Sequence, residues 1–178
     1  MYDMRKSPSM RNGLIDLINF IPLDNFKMVE IGSYAGESAD IFAFSPKTST
    51  IWCIDPWLPG YDENDAASST DFVEVESTFD KVMAKHNGKI KKFKGVAKEF
   101  IEQHPDFVPD FAYIDANHTY EGCKDDISTA LKWKGRGLKF LGGHDYASWC
   151  PGVIQAVNEV FGKRDWTFSD SSWLVMIS

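Results

Sequence analysis

Few cysteines and no long apolar run characterise this sequence. Its 178 residues contain three cysteines, at positions 53, 123 and 150, whose spacing matches neither a disulfide framework nor a zinc site. We therefore expect free thiols in a reducing compartment. No stretch of about 18 apolar residues occurs, so the sequence predicts no membrane span. The polar N-terminus lacks the apolar core of a signal peptide, which favours the cytoplasm.

Positive charge is also in short supply. The chain has 19 Lys and Arg residues against 26 Asp and Glu residues, for a formal net charge of −7. This balance argues against nucleic acid or an anionic membrane as the main partner. The basic run from Lys89 to Lys94 alternates with apolar residues, as in a strand at the outer edge of a sheet, where lysines discourage pairing with other chains.

The pattern that is present is an alternation of strands and helices. Length and a hydrophobic content of 43% suit a single domain over residues 1–178, without repeats or linkers. Alternation of this kind predicts an α/β, Rossmann-like three-layer sandwich with a mostly parallel sheet. The predicted strands are 26–31, 50–54, 89–94, 111–114 and 138–141; the predicted helices lie near 14–21, 37–44, 72–83, 96–103, 120–131 and 153–161; a closing hairpin covers 166–168 and 173–177.

A strand, a glycine turn and a helix start follow one another in the segment MVEIGSYAGES. Gly32 and Gly36 carry no Cβ, so backbone N–H groups can approach a ligand there. Glu30 would repel a phosphate but attract a cation or hydroxyls. Ser33 and Ser38 either contact the ligand or cap the helix. The turn lacks the G-x-G-x-x-G fingerprint, so it favours a cationic nucleoside over a dinucleotide.

Acidic and imidazole side chains end several predicted strands. Glu30, Asp55, Asp115, His144 and Asp145 all fall at or near the carboxyl ends of strands. Ligands of parallel sheets bind beyond the carboxyl ends of the strands, so we expect these side chains to converge on one rim. Asp55 could accept hydrogen bonds from both hydroxyls of a ribose, a role that NAD sites share. Its alternative is a plain turn at the end of a strand.

Four motifs resemble class I S-adenosylmethionine-dependent methyltransferases. They are VEIGSYAG at 29–36, IDPW at 54–57, IDANHTYE at 114–121 and GGHDY at 142–146. Together they are similar to small-molecule O-methyltransferases of the macrocin and rhamnosyl O-methyltransferase kind, from about Leu14 to the C-terminus. The resemblance implies a seven-stranded sheet with an antiparallel C-terminal hairpin strand. It also implies transfer of a methyl group from S-adenosylmethionine to a hydroxyl of a small molecule or sugar.

The resemblance also assigns a cofactor site. It implies that Asp55 binds the ribose and that the turn after the third strand contacts adenine, with Ala97 as the candidate. Trp57 either stacks on adenine or is a core or lid aromatic. The expected cofactor-binding residues are Glu30, Gly32, Ser33, Gly36, Ser38, Asp55, Trp57, Ala97 and Asp115.

The expected reaction site combines three catalytic residues, Asp115, His118 and His144. His118 is the candidate general base because imidazole titrates near neutral pH, and its alternative is a structural hydrogen bond. In the resembling metal-dependent enzymes, acids at the positions of Asp115, His144 and Asp145 hold a divalent cation. A histidine among these ligands suits Mn, Fe, Zn or Ni better than Mg. We leave open whether Mg, Mn or no metal is used; without metal, His144 paired with Asp145 is a second candidate base.

Two rival functions remain at the level of sequence. One is an NAD-dependent oxidoreductase on a similar sheet, and the other is a non-catalytic partner subunit that binds the cofactor. The long polar loop 58–70 is the main insertion that could cover a substrate, and Tyr146 and Trp149 either line the acceptor pocket or belong to the core. Because so little else covers the site, a second subunit, including a homo-oligomer, could complete it.

Overall fold

A computed structural model describes residues 6–60, 66–86, 88–162 and 164–177. Within these ranges, seven strands alternate with six α-helices and three short 3-10 turns. The helices are α1 (Pro8–Phe20), α2 (Glu37–Phe44), α3 (Phe72–Met83), α4 (Ala97–Gln103), α5 (Tyr120–Ala130) and α6 (Pro151–Phe161). The strands are β1 (Phe26–Ile31), β2 (Thr48–Asp55), β3 (Ile90–Lys94), β4 (Phe111–Ile114), β5 (Phe140–Gly143), β6 (Trp166–Thr167) and β7 (Trp173–Met176), and the 3-10 turns are Ala66–Ser69, Ala84–His86 and Leu131–Trp133.

The strands form one sheet in the order β3-β2-β1-β4-β5-β7-β6. The first five strands are parallel, and β7 and β6 join them in antiparallel orientation. This arrangement confirms the predicted Rossmann-like fold and its antiparallel closing hairpin. The chain order reverses between β1 and β4, and a reversal of this kind opens a crevice at the carboxyl ends of the strands.

Two hydrophobic cores lie on opposite faces of the sheet. On one face, α1, α2 and α3 bury Leu17, Phe42 and Phe79 against the sheet. On the other, α4, α5 and α6 bury residues that include Ile127 and Val157. Central strands covered on both sides must be apolar at successive positions, which explains why they appear as continuous apolar runs in the sequence.

The basic strand lies at the edge of the sheet, as predicted. Among the described strands, β3 pairs with β2 alone. Lys92 forms ion pairs with Glu76 and Asp80 of α3 at 2.7 and 2.8 Å, and Lys94 pairs with Glu76 at 2.6 Å. The lysines therefore fasten α3 to the edge strand.

Several element boundaries differ from the sequence prediction. β2 begins at Thr48, two residues early, because Thr48 donates a hydrogen bond to Phe42 O and its strand pairs with Phe26 across a bulge. β5 covers 140–143 rather than 138–141. Its last two residues are glycines, and a Cβ on Gly143 would lie 2.8 Å from Trp173 Nε1. Bare backbone at this position lets β7 pair closely, and the strand therefore extends to the residue before His144.

The long loop predicted over 58–70 is described at residues 58–60 and 66–70. Residues 61–65 lie outside the described residues, and the segment after them forms the turn Ala66–Ser69. Among the helices within the described ranges, none combines the length and apolarity needed to span a bilayer.

Candidate functional site

A cavity of about 440 Å³ lies at the carboxyl edge of the sheet. The segments that follow β1, β2, β3 and β4 line it, together with one face of α5 and residues on either side of the 61–65 gap. Its volume falls within the usual range for small-molecule sites. The expected convergence on one rim is therefore present for these four strands.

The floor of the cavity is the glycine turn. Gly32 has a φ of +85°, and its N–H donates to Ile54 O at 2.8 Å. A Cβ at this position would lie 2.1 Å from the carbonyl oxygen of Asp115. Both the dihedral angle and the close approach to β4 therefore require glycine.

Replacing Gly32 with alanine should destabilise the protein by about 3 kcal/mol or more, since overpacking adds to the cost of a left-handed φ. Gly135→Ala is the matched control, because Gly135 has a φ of +78° but nothing lies within 4 Å of its added Cβ. The control should cost only about 1 kcal/mol. Chemical denaturation of both variants measures the difference, and equal losses would contradict a steric role for Asp115.

Glu30 lies beneath the turn and does not line the cavity. Its side chain is fully buried and accepts hydrogen bonds from Ser33 Oγ and Ser38 Oγ, both at 2.6 Å. Burial raises the pKa of Glu30 to about 7, although the two serines lower it. Glu30 is thus placed to orient two serines that do line the cavity, and its contact with a cofactor stays a prediction.

The raised pKa of Glu30 predicts a pH-dependent effect on stability. Its ordinary value is 4.5, so the folded protein binds this proton more tightly than the unfolded chain, and stability falls as pH rises from about 4.5 through 7. Glu30→Gln does not titrate. The free energy of unfolding of the variant, taken relative to that of wild type, should therefore increase by about 2 kcal/mol from about pH 5 to pH 8. Urea melts at both pH values test this, and a gain that does not change with pH would contradict it.

Asp55, at the end of β2, is an acidic residue that lines the cavity. Its carboxylate accepts the N–H of Tyr34 at 2.9 Å and the N–H of Trp57 at 2.6 Å. Burial raises the pKa of Asp55, and these backbone hydrogen bonds oppose the rise. Each carboxylate oxygen keeps a lone pair, so Asp55 can still accept hydrogen bonds from two hydroxyls.

Trp57 and Gly36 lie outside the cavity lining. The indole of Trp57 is 2% exposed, packs on Phe79 with ring centroids 4.9 Å apart, and donates to Tyr34 O at 2.9 Å. Of the two roles left open for Trp57, this placement therefore favours the core role, in which its indole supports Asp55 and the turn. Gly36 faces α3, where a Cβ would lie 2.8 Å from Met83. Of the residues expected to bind cofactor, the lining retains Gly32, Ser33, Ser38, Asp55, Ala97 and Asp115.

Two imidazoles and two carboxylates meet beside the cavity. Nε2 of His118 lies 3.2 Å from Asp145 Oδ2 and 3.7 Å from Asp115 Oδ1. Nδ1 of His144 lies 3.2 and 3.9 Å from the same two oxygens. The ends of β4 and β5 thus bring all four predicted reaction residues together. Asp115 and His118 line the cavity, while His144 and Asp145 lie behind them.

The carboxylates keep both imidazoles charged. Burial lowers the pKa of His118, but hydrogen bonds and charge from Asp115 and Asp145 outweigh it and raise the pKa to about 11. For His144, the neighbouring carboxylates likewise outweigh burial and raise the pKa to about 9. Burial raises the pKa of Asp145, yet the two histidines hold it well below its usual range. With these neighbours alone, His118 is protonated at neutral pH, so the ordinary imidazole pKa does not apply to it.

The cluster also has the composition of a metal site. Asp115, His144 and Asp145 each offer one ligand atom, and these atoms lie within 4.8 Å of one another. The predicted ligand set is therefore close enough to hold one ion. Two carboxylates with an imidazole suit a transition metal better than Mg.

Sequence reasoning missed Asp170, which supports this cluster from the β6–β7 turn. Its buried Oδ2 lies 3.7 Å from His144 Nε2 and accepts a hydrogen bond from Ser172 Oγ at 2.7 Å. Gly13 of α1 leaves room for it, since a Cβ there would lie 2.3 Å from Asp170. Asp170 therefore places a third carboxylate against His144. The sequence showed only an acid within a turn, which carries no signal of its own.

The two aromatics left open in the sequence differ in position. Trp149 is 69% exposed and donates its indole N–H to Asp145 Oδ1 at 3.2 Å, so it lies at the surface beside the cluster. Tyr146 is half-buried and donates to Asn158 of α6 at 2.8 Å. Trp149 is thus available to an acceptor, whereas Tyr146 fastens the loop after β5 to α6.

Comparisons with known proteins agree with this geometry. A family model described as a methyltransferase domain matches residues 29–146. No curated protein sequence matches the chain at a significant level.

Three solved structures are similar in fold. They are cofactor-bound Rv0187 from MTB (14% identity, 96% of this chain and 80% of that chain, TM-score 0.62), the O-methyltransferase TomG from Streptomyces achromogenes (12%, 97% and 82%, 0.57) and an O-methyltransferase family protein from Burkholderia thailandensis (12%, 98% and 56%, 0.63). At such identities the likeness concerns the fold.

Proposed function

The chain belongs to the methyltransferase-domain family, and we propose that it transfers the methyl group of S-adenosylmethionine to a hydroxyl of a small molecule or sugar. The observation that carries this proposal is the cavity itself. It connects Asp55, an acid able to bind a ribose, with Asp115 and His118, which can bind and deprotonate a hydroxyl. The finer resemblance to macrocin and rhamnosyl O-methyltransferases remains a prediction.

The donor side of the cavity suits a nucleoside without phosphates. Asp55 lies beside the turn and would accept ribose hydroxyls, and the turn itself lacks the G-x-G-x-x-G fingerprint of dinucleotide sites. Ser33 and Ser38 line the cavity while their hydroxyls donate to Glu30, and Ala97 lies at the start of α4 on the side expected for adenine. TomG was solved in complex with SAM, which supports the same donor for this fold.

Methyl transfer from a sulfonium is a direct displacement, so alignment comes first. The acceptor oxygen, the methyl carbon and the sulfur must lie in line, and holding them so can supply about 7–11 kcal/mol of the barrier in favourable cases. The rigid ends of β1 and β4 provide this alignment, because Gly32 packs directly on the backbone of Asp115. Asp115 thus lies between the donor and the reaction cluster.

The acceptor proton must also leave, and we assign it to His118. This imidazole lines the cavity and lies beside two carboxylates. Those carboxylates keep it protonated, so it accepts a proton only when their charge is balanced. Asp115, His144 and Asp145 would hold a divalent cation, which would supply that charge and lower the pKa of a bound hydroxyl. Asp170 would keep His144 oriented within this set.

Calorimetry with S-adenosylhomocysteine, and separately with NADH, tests the proposal. We expect S-adenosylhomocysteine to bind and NADH not to bind. A panel of sugars and phenols with isotope-labelled donor, in the presence of Mn or Mg, should then yield a labelled methyl ether by mass spectrometry. Binding of NADH alone would favour an oxidoreductase. Binding of S-adenosylhomocysteine without transfer to any acceptor would favour a non-catalytic subunit.

A further inference from the structure

An acidic side chain in the cavity wall has no role in the scheme above. Asp126 lies on the α5 face that lines the cavity, between Gly122 and Thr129. Positions four and three residues apart share one face of a helix, so these three residues form a continuous strip. Ile127 and Cys123 point instead into the core beneath α5. The acid is therefore part of the cavity wall.

Asp126 has no partner among the described residues. No hydrogen bond or ion pair within the described ranges reaches its carboxylate, and the only nearby charge that acts on it is that of Asp125. Burial, followed by that like charge, raises its pKa to about 7. Asp126 is half-buried, and a ligand in the cavity would complete its burial, which is costly for a carboxylate without a hydrogen-bond partner. A ligand group that donates a hydrogen bond would remove this cost.

The geometry of the sheet indicates which ligand group reaches Asp126. The donor's reacting end must lie at Asp115, beyond β4, and its ribose at Asp55, beyond β2. β3 lies on the far side of β2, and the N–H of Gly95, just after β3, donates to Asp55 O at 3.0 Å. The base attached to that ribose therefore enters the space between the 95–98 turn and the α5 strip.

We infer that Asp126 recognises the adenine ring by accepting a hydrogen bond from its 6-amino group. This inference rests on the proposed function, because it requires an adenosyl donor in the cavity. The 6-amino group is the hydrogen-bond donor of the adenine edge, and a carboxyl group offers an acceptor oxygen in either protonation state. Asp126 would thus be a specificity-determining residue for the base, on the opposite wall from Ala97.

A double comparison of protein and ligand tests this. The probes are S-adenosylhomocysteine and its analogue with purine in place of adenine, which lacks only the 6-amino group. We expect Asp126→Ala to weaken the binding of S-adenosylhomocysteine roughly 10- to 100-fold and to leave the affinity for the purine analogue nearly unchanged. Asp126→Asn keeps an acceptor oxygen and should recover part of the loss. Calorimetry gives all the affinities.

Glu121→Ala is the matched charge control, because Glu121 is exposed on the first turn of α5 and lies outside the cavity lining. It should bind both ligands as wild type does. Equal affinity of Asp126→Ala and wild type for S-adenosylhomocysteine would overturn the inference, and so would an equal loss for both ligands. Failure of wild type to bind S-adenosylhomocysteine would instead remove the proposed function, and this inference with it.

Discussion

Asp55→Ala should weaken the binding of S-adenosylhomocysteine by roughly a thousandfold. The carboxylate would accept hydrogen bonds from two ribose hydroxyls, and hydrogen bonds to a charged group contribute about 1.5–3 kcal/mol each. The same side chain accepts the N–H groups of Tyr34 and Trp57, so its loss also releases the turn that forms the cavity floor. Calorimetry on the purified variant measures the change.

Asp110→Ala is the control for this experiment. Asp110 also accepts a backbone N–H, from Lys27 at 3.0 Å. It lies just before β4, at the amino end of the strand and therefore away from the cavity. Its removal should lower stability and leave S-adenosylhomocysteine affinity unchanged. Near-wild-type affinity of the Asp55 variant would discard the ribose assignment, whatever its stability.

The parts of the fold that sequence could predict are those set by local pattern. Strands buried on both faces are apolar throughout, and the lysines of β3 correctly predicted an edge strand. Asp55 and Asp115 were found because residues that follow such runs lie at one edge of a parallel sheet. Placement on the rim thus follows from periodicity alone.

Side-chain direction within the rim could not be predicted in this way. Trp57 adopts a φ of +46°, which turns its indole toward α3. Glu30 occupies a β1 position that faces two serines, and their hydroxyls take up both of its oxygens. Such outcomes depend on individual dihedral angles and on neighbours several residues away, which hydrophobic patterning does not encode.

Contacts between distant segments were equally beyond the sequence. Asp170 reaches His144 because β7 pairs with β5 in antiparallel register, with Gly143 opposite Trp173. Asp126 follows a helical pattern whose acids would ordinarily face water, and only the cavity on that side makes it part of a site. A polar residue acquires such a role from what the rest of the fold places opposite it.

His118→Ala should slow methyl transfer about 100- to 10,000-fold, the usual contribution of a general base. S-adenosylhomocysteine affinity should stay within a few-fold of wild type, because His118 acts on the acceptor proton. Without a bound cation, the neighbouring carboxylates raise the pKa of His118 above its ordinary value, so kcat of the metal-free wild type should increase with pH above neutrality as the imidazole loses its proton. In the variant this increase should disappear.

Single-turnover kinetics with an acceptor from the hydroxyl panel, at several pH values, measures both effects. His104→Ala is the matched histidine control, since the His104 ring stacks on that of Phe100 with centroids 4.5 Å apart and lies outside the cavity lining. It should alter stability without changing the pH profile. A His118 variant that keeps the wild-type kcat and pH profile would leave the acceptor proton to Asp115 or Asp145. A parallel loss of donor affinity would show instead that His118 supports the cavity.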